Sequence, residues 1–174
     1  MQQIIPEITG LVPANQAEYQ NYIDNNPNAI SSPATAAEVQ DVIDAVNAAV
    51  AVSETVLAQI GNEGDNPDTV TSVVTVAQIQ TIIPEITGVI AGNEALYQNY
   101  IDENPDAISA PATAAEVQAV IDAVNAAAAT STSVLTQIGD EGDNPDVVDS
   151  VVTVAQIQTI IPEITGVVAG NEAL

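Results

Sequence analysis

The sequence predicts an all-α chain organised as a tandem helical repeat array, a rod or superhelix, and three observations carry that expectation. Ile-Ile-Pro-Glu-Ile-Thr-Gly begins at Ile4, at Ile82 and again at Ile160, a period of 78 residues. Four Thr boxes lie within that period: Thr35-Ala-Ala-Glu38, Thr75-Val-Ala-Gln78, Thr113-Ala-Ala-Glu116 and Thr153-Val-Ala-Gln156, spaced by 40, 38 and 40 residues. Each has a Thr N-cap and a Glu or Gln three positions on, the reciprocal arrangement that satisfies two orphan N–H groups at a helix start. Apolar residues then recur at helical spacing after each box. Modules of about 39 residues are thus paired into 78-residue repeats, with residues 2–79 forming a first repeat, 80–157 a second and 158–174 the start of a third. Units of this size cannot bury a core alone, so neighbours must supply it.

In chain order, the Thr35 and Thr113 boxes open amphipathic helices whose stripes are Val39, Val42, Ile43, Val46 and Ala49, then Val117, Val120, Ile121, Val124 and Ala127. The Thr75 box opens a helix with the stripe Ile79, Ile82, Ile83, Ile86 and Ile90, kinked or restarted near Ile83 and Pro84, and the same is expected at Pro6 and Pro162. A medium helix follows in each module. Asn93 is expected to cap Glu94 to Asp102, with Leu96, Tyr97, Tyr100 and Ile101 on one face; its counterpart runs from about Thr132 to Ile138 and stops at Gly139. Asn66-Pro-Asp68, Asn104-Pro-Asp106 and Asn144-Pro-Asp146 read as starts of a short third helix, with Pro at the first helical position. Gln2 and Leu174 correspond to Gln80 and Leu96, inside elements, so the segment is expected to belong to a longer array.

Charge narrows the function. The chain has 24 Asp and Glu and no Lys, Arg or His, a formal net charge of −24. Phosphate binding needs Lys or Arg, so a nucleic-acid partner is excluded, and the polybasic patch that anionic membranes attract is missing. Self-repulsion at this charge is relieved by salt or divalent cations, which suits a saline exterior. With 47% hydrophobic residues, the chain still has material for a core, built from small aliphatics because Tyr19, Tyr22, Tyr97 and Tyr100 are its only aromatics. It has no Cys and hence neither disulfides nor thiolate metal sites. No stretch is expected to span a membrane, and Met1-Gln2-Gln3 does not open like a signal peptide.

Catalysis is not expected. His, Cys and Lys are absent, and Asp68-Thr69 is followed by Val70 where an aspartic-protease motif needs Gly. Calcium is the one cofactor the residues suggest. Glu63, Asp65 and Asp68, and in the next copy Asp140, Glu141, Asp143 and Asp146, place several oxygen ligands in a short Gly-containing loop, although EF-hand spacing is lacking. Turn and cap chemistry is the competing explanation of those carboxylates. The Tyr pairs at i, i+3 read as core faces with the hydroxyls at the edge, against the alternative of a sugar-stacking face.

The run from Asn104 to Asn125, with Gln137 to Asp146, resembles the helical tandem repeats of very large surface proteins of marine and other Gram-negative bacteria. The helix order is also loosely similar to the three-helix albumin-binding modules of Gram-positive surface proteins. The first resemblance implies secretion, display at the cell surface or in a matrix, and a part in adhesion or biofilm structure. The expected function is therefore mechanical: an extracellular spacer or stalk, or a filament subunit whose partner is itself. The alternatives are a module that binds a host protein or polysaccharide through a repeated helical face, and a calcium-stiffened linker.

Overall fold

The long helices organise everything else. The structure, a computed structural model, describes residues 8–65, 74–143 and 152–162. In order, its helices are α1 (Gln16–Asn25), α2 (Ala36–Asp65), α3 (Val76–Ile79), α4 (Glu94–Glu103), α5 (Ala114–Asp143) and α6 (Val154–Ile157), and 3₁₀ turns occupy Pro13–Asn15, Ala91–Asn93 and Pro105–Ala107. No strand occurs among the described residues. The chain is all-α, as its periodicity predicts.

All four Thr boxes form. Thr75 and Thr153 each exchange both bonds with the Gln three residues on, and Thr35 and Thr113 do the same with Glu38 and Glu116. Beyond the boxes, the chain departs from expectation in three places. The Thr75 helix does not run through a kinked Ile stripe: α3 ends at Ile79, and a chain with a cis Ile83–Pro84 bond leads on to Ala91. Pro84 lacks an N–H and disfavours helical backbone at Ile83, so the helix has no continuation. Ile79, Ile82 and Ile86 are buried nonetheless, whereas Ile90 is exposed.

The medium helix expected from Thr132 to Ile138 is the second half of α5, and Gly139 and Gly142 lie inside that helix rather than ending it. Thr130, Thr132 and Thr136 donate their hydroxyls to the carbonyls of Ala126, Ala128 and Thr132 four residues back, so the polar stretch is satisfied within the helix. The third correction concerns Asn104-Pro-Asp106, which makes only a 3₁₀ turn, while Asn104 bonds back to the Tyr100 carbonyl at the end of α4. Asn66-Pro-Asp68 and Asn144-Pro-Asp146 lie outside the described residues.

Side-chain amides on the long helices hold the Ile-Thr-Gly segments. Gln40 on α2 accepts from the Thr9 N–H (2.9 Å) and donates to the Thr9 carbonyl (3.1 Å), as a neighbouring strand would. Asn47, two turns on, donates to the Gly10 carbonyl (2.7 Å) and accepts from the Tyr19 hydroxyl (2.7 Å) and the Asn15 amide (3.1 Å). Tyr19 in turn accepts from the Val12 N–H (3.0 Å). Gly10 has φ 72°, a left-handed turn that brings its carbonyl under Asn47. The same set joins Gln118 and Asn125 of α5 to Thr87, Gly88, Ile90, Asn93 and Tyr97, 78 residues on, with Gly88 at φ 70°. Asn93, expected as the cap of α4, spends its side chain here instead.

Buried serines complete the attachment. Ser53 on α2 accepts from the Ile83 N–H (2.8 Å), and Ser131 on α5 accepts from the Ile161 N–H (3.0 Å). The main core gathers Val56 and Ile60 of α2, residues from Val74 to Ile86, Tyr97 and Ile101 of α4, Ile108, Ala112, and Val117 to Val124 of α5. Burying an Ile or Val side chain contributes about 1.5–3 kcal/mol, so this cluster dominates the folding energy.

The two Tyr clamps differ in burial, which makes them a controlled comparison. Tyr97 is 1% exposed and Tyr19 is only half-buried. Tyr97→Phe leaves the Ile90 N–H and an Asn125 lone pair, both partly screened from water, without the buried hydroxyl that joins them, at a cost of about 1–3 kcal/mol. Tyr19→Phe, where water can substitute, should cost less than half as much in urea unfolding.

Candidate functional site

The feature with the most specific geometry is the junction where the second half of α2 meets α4 and the loop before α5. Val56 and Ile60, one helical turn apart, face Tyr97, Ile101, Ile108 and Ala112. The loop touches the helix backbone directly, because the Ala112 N–H donates to the Leu57 carbonyl (3.1 Å). Gly61 permits this approach. A Cβ there would stand 2.6 Å from the Ser109 carbonyl oxygen and 2.8 Å from the Ala112 nitrogen, closer than real Cβ contacts come.

The docking loop is held in shape by the capping carboxylate of the helix it precedes. Glu116 accepts from the Thr113 N–H (2.7 Å) and hydroxyl (2.8 Å) and from the Ser109 hydroxyl (2.8 Å) and N–H (3.2 Å). Glu38 is bound in the same way by Thr35 and Ser31. Each loop includes a cis peptide bond, Ser32–Pro33 or Ala110–Pro111. Donors aimed at the ionised form favour it. The Thr35 N–H above all, then the Thr35 and Ser31 hydroxyls, lower the Glu38 pKa to about 2. The Thr113 N–H and the Ser109 and Thr113 hydroxyls hold Glu116 below its usual range.

The carboxylates expected in a calcium loop occupy a different setting. Residues 61–65 and 139–143 belong to α2 and α5, not to a loop. Glu63 is buried on α2, and Asp65 belongs to the same helix; Asp140 is exposed on α5, which also holds Glu141 and Asp143. Asp68 and Asp146 lie outside the described residues. Among the described residues, no group of three or more acidic side chains is arranged to hold a metal.

Tyr97 and its hydroxyl are taken up by the core, as the core-face expectation requires. Tyr100 is half-buried and lines a cleft of about 400 Å³ with Leu96, Val124, Ala127 and Ile160. Sequence reading missed the Gln–Asn–Ser ladder on the long helices. Its signal was present, since Gln40, Asn47 and Ser53 recur unchanged as Gln118, Asn125 and Ser131. By length and composition alone, Ala36–Glu63 of α2 is apolar enough to cross a membrane. One stripe of it, with Val42, Ile43, Val46, Val56 and Ile60, is buried in this structure, and Gln40, Asn47 and Ser53 on the same helix bind protein backbone.

No protein-family model, curated protein or solved structure matches this chain.

Two outcomes test the junction. Gly61→Ala improves helix propensity by about 1 kcal/mol, yet the clash with the loop backbone should outweigh it, giving a net loss of about 1–3 kcal/mol in denaturant unfolding. The capping carboxylates set an acid limit. Their folded pKa values lie below the usual 4.5, so the stability they add is complete above that pH and is lost as pH falls below it, toward about 2 for Glu38. Gln is the natural residue in the boxes at Thr75 and Thr153, so Glu38→Gln with Glu116→Gln should keep the fold and flatten the acid-melting profile between those limits.

Proposed function

We propose that this chain is a structural repeat segment of an extracellular bacterial surface protein, a tandem array that serves as a spacer or stalk, or as a filament subunit, in adhesion or a biofilm matrix. The observation that carries this reading is the recurrence of one hydrogen-bond set at a 78-residue offset, combined with a junction in which the helix of one copy receives the loop of the next. A unit that carries both halves of a joint can be added indefinitely in one direction, which is the requirement of a rod or superhelix. Calcium stiffening is a lesser variant of the same reading.

Chemistry supports a mechanical role over an enzymatic one. The two carboxylates with lowered pKa values are occupied by helix caps, and the amide-rich positions bind backbone. The acidic exterior keeps a long rod soluble and repels like-charged neighbours. Without Lys or Arg, the chain also offers trypsin-like proteases no cleavage site. The Tyr100 cleft favours a second reading, a binding module for a protein or polysaccharide. Shifts of the Tyr100 resonances on adding a candidate polysaccharide would support it.

Small-angle scattering tests the shape. A compact chain of this length has a radius of gyration of about 16 Å; the rod requires a clearly larger value with an elongated distance distribution, and a value near the compact one removes the reading. Antibodies to the segment should label intact producing cells from outside. Thermal unfolding supplies a further test, because screening relieves self-repulsion among charges that have no opposite partner. The melting temperature should rise with sodium chloride, most steeply at low ionic strength.

A further inference from the structure

The chain carries both halves of the internal junction a second time, uncovered, at opposite ends of the described structure. Ile138 of α5 corresponds to Ile60 of α2; Ile60 is fully buried, while Ile138 is 38% exposed beside Leu135 at 49%. Gly139 corresponds to Gly61 and has open space where Gly61 meets the loop backbone. At the other end Ile23 corresponds to Ile101; Ile101 is buried at 3% and Ile23 is 37% exposed. Ala34 corresponds to the buried Ala112 and is also exposed.

These uncovered positions have not diverged between the copies. Ile23, Ala34, Leu135, Ile138 and Gly139, together with the half-buried Ile30 and the buried Val134 beside them, all match the residues that form the covered junction. Several differences fall where solvent reaches, as at Asn25 and Glu103, Ser32 and Ala110, and Asp41 and Ala119, while Gln16 and Glu18 of α1 stand where α4 has the half-buried Glu94 and Leu96. The loop that would dock is already in its docked shape, because Ser31, Thr35 and Glu38 make the same bonds as Ser109, Thr113 and Glu116.

We propose that the C-terminal half of α5 receives the Ile30–Ala34 loop and α1 of a second copy of this chain, head to tail, in the geometry of the internal junction. The proposal rests on the structural-repeat reading. Leu135 would accept through its backbone carbonyl from the Ala34 N–H of the second copy, and Gly139 would admit that copy's loop backbone. The contact is heterologous, with each molecule offering a different face to each neighbour, so it propagates into a filament rather than closing a dimer. It contains no ion pair, so salt strengthens it by screening the repulsion between two chains of −24 each.

The test is sedimentation of the full chain over a concentration series in about 1 M salt, where the screening length is about 3 Å. Wild type should form a concentration-dependent series of oligomers. Gly139→Leu blocks the receiving helix at a position open in the single molecule, and Ala34→Leu blocks the docking loop; each variant alone should sediment as a folded monomer, with circular dichroism confirming helix content. Mixed, the two should form a 1:1 dimer that grows no further, because each still carries the face that the other lacks. A monomeric wild type at millimolar concentration overturns the proposal, and so does association that survives in both single variants. If scattering then shows an elongated monomer, the spacer reading stands without the docking; a compact monomer removes both.

Discussion

A chain with 24 carboxylates and no Lys, Arg or His must satisfy every buried polar group without a side-chain cation. That constraint explains the choice of partners throughout the structure. Backbone left unpaired by the Pro-interrupted segments bonds to Gln, Asn and Ser on the long helices. Carboxylates that take structural roles do so at helix starts, where N–H groups and hydroxyls converge and the helix dipole favours negative charge. A buried amide costs less to desolvate than a charge and offers both donor and acceptor, so one Asn can hold a carbonyl, a hydroxyl and a second amide at once. Asn47 and Asn125 each do this. The fold achieves polar specificity with neutral groups and leaves most of its charge on the surface.

The parts of this architecture that sequence reading anticipated are those written in local chemistry. A Thr followed three residues later by Glu or Gln needs no tertiary information to become a cap, and all four boxes formed. The apolar stripes of α2 and α5 follow from periodicity alone. The rest depended on competition between distant groups. Gly139 is a sound helix stop in isolation, yet α5 passes through it, and at the matching position the absence of a side chain at Gly61 serves a loop far away in sequence. The Ile79 to Ile90 spacing fits a helix as well as it fits a chain laid along one, and Pro84 decided for the latter. The carboxylates from Glu63 to Asp65 read as loop ligands because their Gly neighbours suggested a turn, whereas their backbone continues α2.

The two copies share most of one sequence pattern and differ in burial. α4 lies between two long helices and buries Tyr97 and Ile101, while α1 rests on α2 and buries none of its residues. The shared Tyr and Ile therefore belong to a core in one place and to a surface in another, according to the helices packed against them. Stability in such a chain belongs to the joints between copies as much as to the copies themselves, and added units would raise it by supplying the missing side of each joint.

This arrangement also assigns different freedoms to different positions. Exposed positions of α2 are less constrained, and Asp41 becomes Ala119 and the half-exposed Val52 becomes Thr130 between copies. A residue at the joint is constrained from both sides: Gly61 by the loop it admits, Ala112 by the helix it meets, and Glu116 by the loop it ties down. The loop makes its contact through the backbone at Ala112 and Leu57, which is insensitive to side-chain identity, while the small residues around it exclude any other fit. Specificity at the joint thus comes from steric closeness and a backbone hydrogen bond rather than from charge, the one interaction that a uniformly acidic chain cannot use to recognise itself.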